Sequence, residues 1–446
     1  MSVESEQAVP AAGLAGALRW RQTVVIALLF GGYGSLYFCR ADLAVATPLL
    51  VDALGRQGLG HDEAIIRIGG IASLGVLAYG FGKFFLAGLG DLWGGRVSFL
   101  IGILGATVFT LMFASGASLP IFSMAWIGNR LTQSLSWAGL IKVSSKWFDF
   151  SSYGMIIGIL SLSYLVGDAV ARQGMGLLID LGFGWQVLFY FAAATTGLFL
   201  LLNFLLLRES RVDAGFAEAN PNPLNLFKDS QARPQSLREL LLPLVRSRAF
   251  LLVCLLSLGC TIIREAFNLW IPVYLRDYVG YTTSNAARMS AVFPAVGAVS
   301  VLTTGWLSDR LGINGRSLIM LVGLGACTAA LLVLTSLPAS ASASLLPPLA
   351  IGVIAFCLLG PYSFLGGAFA LDFGGKRAGA MSSGIIDGVG YLGAGAAGDT
   401  VARVSVSYGW QGVFMALAGV AALAAFAAGW LYFAGRRAAS GGGESR

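Results

Sequence analysis

Arg40 in YFCRADLAVATPLL and Arg264 in CTIIREAFNLWIPVYL each sit inside a long apolar stretch, and a proline follows each of them eight residues later. An arginine at the centre of a membrane helix costs about 2.5–3.5 kcal/mol on insertion scales, so it faces a cavity or a partner and reads first as functional. Matching contexts in the two halves of the chain imply a duplicated protein with a two-sided clamp for an anion. Tyr33, Tyr37 and Arg40 are spaced i, i+4, i+7 and are expected on one helix face. Lys83 stands about two turns before the end of the second apolar stretch, and Gln133 and Trp137, four residues apart, lie in the fourth. Hydroxyls, an ammonium and two guanidinium forks suit a phosphate or a carboxylate, because arginine holds oxyanions bidentately and lysine adds charge with less geometry.

The elements that carry these residues must be membrane helices. Of 446 residues, 57% are hydrophobic and 11% charged, against about 25% charged in globular domains. Stretches long enough to cross a bilayer are predicted near 23–51, 66–88, 97–114, 119–143, 153–180, 185–207, 249–275, 286–307, 317–337, 346–371, 378–402 and 410–435. The expected fold is all-α, with twelve transmembrane helices in two pseudo-symmetric six-helix bundles at 23–207 and 249–435. A cytoplasmic linker at 208–248 joins them, between a tail at 1–22 and another at 436–446. Sixty glycines fit close helix packing in lipid. The net charge of +7 is topological rather than a nucleic-acid footprint, since Lys and Arg gather in the connections on one side. The positive-inside rule then puts both termini in the cytoplasm. The short termini and the Ala/Gly-rich composition point to a bacterial inner membrane, and no cleavable signal peptide is expected. The five cysteines have no paired spacing and read as packing residues.

Several features recur at an offset of about 220 residues. GLGDLWGGR at 88–96 resembles GWLSDRLGINGR at 305–316, and GWQVLF at 184–189 matches GWQGVF at 409–414. A six-plus-six duplication is how major facilitator transporters are built, and the Asp-x-x-Gly-Gly-Arg loop resembles that superfamily's signature. Asp91, Arg96, Asp309, Arg310 and Arg316 are expected to cap neighbouring helices and to hold the halves together. Around the clamp the chain resembles the organophosphate:phosphate antiporters. The matches are Gly-Tyr-x-x-x-Tyr-Phe-x-Arg at 32–40, Ala-Tyr-Gly-Phe-x-Lys-Phe at 78–84, Gln133 with Trp137, Gly360-Pro361, KRAGA at 376–380 and Gly-Tyr-Leu-Gly at 390–393. The resemblance implies that Arg40 and Arg264 grip a substrate phosphate, with Lys83 and Tyr391 beside them. It implies exchange of an organic phosphate (a sugar phosphate or a glycerol-3-phosphate-like molecule) for inorganic phosphate.

The chain also departs from that family. Tyr164 replaces a fifth-span histidine, Thr261 a tyrosine one turn before the second arginine, Ala41 a lysine, and Leu359 a tyrosine before Gly-Pro. Asp168, with Arg172 four residues on, and Asp387 are intramembrane acids. They are expected either to line the cavity, accepting sugar hydroxyls or balancing its cations, or to pair and stabilise helix packing. Glu265 and Asp42 are too close in sequence to Arg264 and Arg40 to share a face with them. The empty site would hold unpaired cations whose repulsion resists closure, so only loaded carrier crosses. A proton-coupled organic anion symporter using Asp168 or Asp387, or a sugar-phosphate sensor without transport, is the alternative. A monomer in lipid suffices for this mechanism. No phosphate loop, metal cluster or nucleophile motif is found, so neither an enzyme nor a cofactor is expected.

Overall fold

The computed structural model describes residues 11–86, 93–219, 237–311, 313–339 and 344–441, and all regular structure among them is helical. The first half contains α1 (Ala11–Ser35), α2 (Phe38–Arg56), α3 (His61–Phe85), α4 (Gly95–Ser115), α5 (Leu119–Trp147), α6 (Phe150–Asp180) and α7 (Trp185–Leu206). A short α8 (Leu237–Arg246) precedes α9 (Arg248–Val273), α10 (Thr283–Ser290), α11 (Val292–Leu311), α12 (Ile313–Ser336), α13 (Leu346–Tyr362) and α14 (Ala370–Gly441). Single π-turns at Tyr274–Tyr278 and Leu365–Phe369 extend α9 and follow α13.

Ten described helical segments are long and apolar enough to cross a membrane, and α1 with α2 forms one of them. The more polar α5, 29 residues long, would run about 43 Å and so is long enough to cross as well. The last segment, Ser382–Ala434, has 53 residues and would run about 80 Å as one rod, against about 30 Å of hydrocarbon. It reverses at Gly409, whose φ of 67° only glycine adopts without strain. A Cβ on Gly390 would lie 2.6 Å from Ser257 Oγ, and one on Gly259 would lie 3.3 Å from Ala424 Cβ. Residues before and after the turn therefore flank the same level of α9, and twelve crossings result.

The apolar surface faces outward: Phe204, Val322 and Phe426 are 59, 62 and 71% exposed, as lipid-facing side chains are. Inside, α3 packs on α14, α2 on α9, and α6 on α10 and α11, so these helices form the seam between the halves. The backbones meet where glycine allows it. A Cβ on Gly69 would lie 2.7 Å from the Gly398 carbonyl, and Asp399 N–H donates to Ser73 Oγ at 2.9 Å beside it.

The two ends of the bundle differ. At the end opposite the termini, polar contacts join the halves. Arg276 donates to the Pro48 carbonyl at 2.9 Å and pairs with Asp52, and Arg288 pairs with Asp180. Ser284 Oγ donates to the Gly176 carbonyl at 2.9 Å, and the half-exposed His61 lies 3.7 Å from Asp277.

At the terminal end, Glu209 accepts from Gly95 N–H at 2.9 Å, Arg96 N–H at 2.6 Å and Lys146 Nζ at 2.7 Å. Burial works against its charge, but the lysine and the two N–H groups at the start of α4 outweigh it and hold the carboxyl below the usual glutamate range. In the other half Arg316 pairs with Asp372 at 2.7 Å, and Arg310 stacks on Trp306 at 3.9 Å. Among the described residues these contacts stay within one half, and none of those of Arg96, Arg310 and Arg316 joins the two halves. Asp91 and the side chain of Asp309 lie outside the described residues.

Candidate functional site

The site begins with a break in the first membrane helix. Between α1 and α2 two turn residues, Leu36 and Tyr37, interrupt the helix, and Cys39 has a non-helical ψ of 15°. The continuous face expected for Tyr33, Tyr37 and Arg40 is therefore interrupted. Tyr33 turns into the packing, 5% exposed and 5.1 Å from the Trp137 ring, while Tyr37 and Arg40 reach the cavity. Arg40 donates Nε to Gln133 Oε1 at 2.6 Å and NH1 to Tyr37 Oη at 3.2 Å. Gln133 is held by Asn129 at 2.5 Å, and Asn129 by Thr110 at 2.8 Å.

The cavity has a volume of about 70 Å³, room for a small oxyanion or a few waters. Arg40 and Arg264, one from each half, both open on it, and so do Tyr37, Tyr164 and Asp168. Tyr164 packs on Tyr37 at 5.4 Å. Asp168 takes Arg172 Nε at 2.8 Å, the intrahelical pair its spacing allows. Arg172 then crosses the seam to the Asn268 carbonyl at 2.8 Å and Ser290 Oγ at 3.0 Å. This acid therefore both lines the cavity and fixes the packing of the halves.

Lys83, Asp387 and Tyr391 form a second layer on the terminal side of this cavity. Lys83 Nζ lies 3.2 Å from Asp387 Oδ2 across the seam, and 5.1 and 5.4 Å from the rings of Tyr391 and Tyr79. Arg264 lies over Tyr362 at 4.6 Å and 5.8 Å from Tyr391. Gln133, Trp137 and Tyr33 stand behind the wall.

Two expectations need correction. Glu265 reaches Arg264 at 2.6 Å despite being its sequence neighbour, because both side chains are long enough to fold to one side. The cations are also not all unpaired: Arg264 has Glu265, Lys83 has Asp387 and Arg172 has Asp168.

Sequence reasoning missed Tyr79, Arg130 and Asn268. Tyr79 is 2% exposed, and its ring centre lies 4.4, 5.1 and 5.4 Å from the cationic groups of Arg40, Arg130 and Lys83. Its signal was the i, i+4 spacing to Lys83. Arg130 is another arginine in an apolar span, three residues before Gln133.

The model of the Major Facilitator Superfamily matches residues 29–398. A probable hexose phosphate transport protein of Chlamydia trachomatis is 26% identical over 91% of this chain and 89% of its own length. The glycerol-3-phosphate transporter of Bacillus subtilis is 24% identical over 87% of each chain. The membrane sensor protein UhpC of Escherichia coli is 25% identical over 91% of each chain. Among solved structures, a bacterial homolog of the human lysosomal transporter Spinster, inward-facing and unoccupied, superposes with a TM-score of 0.72 at 15% identity, over 93% of this chain and 97% of its own. The nucleoside transporter NupG gives 0.70 at 16%, over 93% of this chain and 99% of its own. The likenesses to the hexose phosphate and glycerol-3-phosphate transporters and to UhpC agree with the resemblance to organophosphate:phosphate antiporters, and the residues matched by the family model cover most of both helical halves. The chain is an integral membrane protein of the Major Facilitator Superfamily and not an enzyme.

Proposed function

We propose that this protein exchanges an organic phosphate for inorganic phosphate by alternating access, with both termini in the cytoplasm of a bacterial cell. The observation that carries the reading is the cavity between the halves, where Arg40 and Arg264 from opposite bundles face the same small space. The similarity to hexose phosphate and glycerol-3-phosphate transporters supports phosphate as the common group. Arg40 offers its guanidinium from neutral partners, Gln133 and Tyr37, so its charge is available to an anion. Arg264 must exchange Glu265 for the substrate. An anion between the two arginines draws the halves together, and its departure lets them part. Tyr37, Tyr164 and Asp168 are the groups placed to meet the organic part.

Proteoliposomes loaded with inorganic phosphate should take up labelled phosphate, while empty vesicles should not. Equal uptake into both would rule out exchange. Competition by sugar phosphates, glycerol-3-phosphate and phosphoenolpyruvate would then name the organic partner. The likeness to UhpC, whose name marks a sensor, supports a second reading in which the protein binds a sugar phosphate and signals. Binding without turnover in the same vesicles would favour it.

A further inference from the structure

Arg130 has no part in the reading above, and its surroundings are unusual for a charge in a membrane helix. It is 4% exposed, its Nε is buried without a partner, and it makes no hydrogen bond or ion pair among the described residues. Its neighbours are ring faces, Tyr79 at 5.1 Å and Trp126 at 6.0 Å. A guanidinium so placed is costly unless it faces a cavity or takes a ligand. Arg130 lies on the wall of the cavity that Arg40 and Arg264 share.

The charge balance of that wall points the same way. It carries four arginines (Arg40, Arg130, Arg172 and Arg264) and two acids (Asp168 and Glu265). Each acid is taken: Asp168 by Arg172 at 2.8 Å and Glu265 by Arg264 at 2.6 Å. Arg40 has neutral partners and Arg130 has only rings, so two positive charges are left over. Both belong to the N-terminal half, and their guanidinium carbons lie 4.4 and 5.1 Å from the centre of the same Tyr79 ring. Two cations against one ring repel in a medium of low dielectric unless an anion joins them.

We propose that Arg130 is a third anion-gripping arginine, and that with Arg40 it makes the N-terminal wall a receptor for a dianionic phosphoryl group in preference to the monoanion. This rests on the reading that phosphate is the cargo. Other charged or titratable groups near Arg130 are Asp42, Tyr79, Glu265 and Tyr391. Asp42 supplies the competing account. It is fully buried on α2, with Oδ1 accepting Leu43 N–H at 2.7 Å and Oδ2 unpartnered. Arg130 would then only balance it through space.

Exchange of labelled inorganic phosphate in reconstituted vesicles separates these accounts. It is measured below and above the second ionisation of phosphate, with monomethyl phosphate (dianionic when ionised) and dimethyl phosphate (always a monoanion) as competitors. The wild type should bind phosphate more tightly at the higher pH and favour monomethyl phosphate strongly. Arg130→Gln should raise the KM about tenfold or more at the higher pH, flatten the pH profile and lose the preference between the two esters. Arg130→Lys should keep part of each. An unchanged KM, pH profile and ester preference in Arg130→Gln would overturn the inference while leaving the cargo reading intact. Recovery of wild-type behaviour in Arg130→Gln/Asp42→Asn would also overturn it, because Arg130 would then serve only Asp42. Absence of phosphate exchange and of phosphate-dependent thermal stabilisation in the wild type would overturn the cargo reading, and this inference with it.

Discussion

Gln133 accepts the Nε hydrogen bond of Arg40 at 2.6 Å and so ties the cavity-facing arginine of α2 to α5. The tie continues through Asn129 to Thr110, which fixes the amide, while Arg40 NH1 meets the cavity-lining Tyr37 Oη at 3.2 Å. Hydrogen bonds to charged groups contribute about 1.5–3 kcal/mol. Gln133→Leu should therefore raise the phosphate KM about tenfold or more, at about 1.4 kcal/mol per decade, with the protein still folded. Gln133→Glu would set a carboxylate on Arg40 and should abolish exchange, as labelled-phosphate uptake would show. An unchanged KM in Gln133→Leu would mean that Arg40 needs no such support.

Glu265 occupies the Arg264 guanidinium, which the proposed exchange requires the substrate to take over. Glu265→Gln keeps the shape and removes the competing charge, so phosphate should bind several-fold more tightly. Equilibrium binding in detergent would measure this, and exchange kinetics would show whether tighter binding slows release. Weaker binding in this variant would mean that Glu265 holds Arg264 in its working orientation and does not compete with substrate.

Lys83 and Asp387 pair across the seam with partial exposure, 26% and 31% of each side chain. If the pair only joins the halves, Lys83→Met and Asp387→Asn should each impair exchange, and the double variant should recover much of it. If Lys83 also touches substrate, the double variant should stay as poor as Lys83→Met. The coupling in this double-mutant cycle distinguishes the two roles.

The twelve crossings were legible because length and hydropathy alone decide which segments can span a bilayer. Arg40 and Arg264 were legible for a related reason, since a charge in lipid demands an explanation. The same logic applied to Arg130 and Arg172, but the repeat drew attention only to arginines with a counterpart in the other half. Partnerships were harder to read. Arg172 meets Asp168 in its own helix, which spacing predicts, but it also meets Asn268 and Ser290 in the other half, which only the packing reveals. The exclusion of Glu265 failed because spacing rules describe where side chains start and not how far a glutamate and an arginine extend. The break at Leu36–Tyr37 directly follows Gly34-Ser35, a pair of the kind that kinks helices, but the sequence does not say which side chains the kink turns, and it decides that Tyr33 packs while Tyr37 faces the cavity.

Asp52 with Arg276 and Asp180 with Arg288 join the halves at the end opposite the termini. If the halves part there during transport, Asp52→Asn/Asp180→Asn should favour the form open at that end. A cysteine replacing Ala44 on the cavity wall should then react several-fold faster with an impermeant thiol reagent added from that side. Four of the five native cysteines are buried, which keeps the background low. Equal rates with and without the two acids would show that these pairs do not control opening.

Glu209 links the start of α4 to Lys146 at the terminal end. Its carboxyl is held below the usual glutamate range, so its contribution to stability has a defined sign. A depressed folded-state value stabilises fully above the unfolded value of about 4.3, and the contribution is lost as pH falls through the lower folded value. Wild type should therefore melt above Glu209→Gln at neutral pH. The gap should stay constant down to about pH 5 and close at more acid pH. Part of this carboxylate faces solvent, so the gap is expected to be small. Thermal unfolding of both proteins across that range, in one detergent, measures it; a gap that widens on acidification would show that the neutral form of Glu209 is the one the fold prefers.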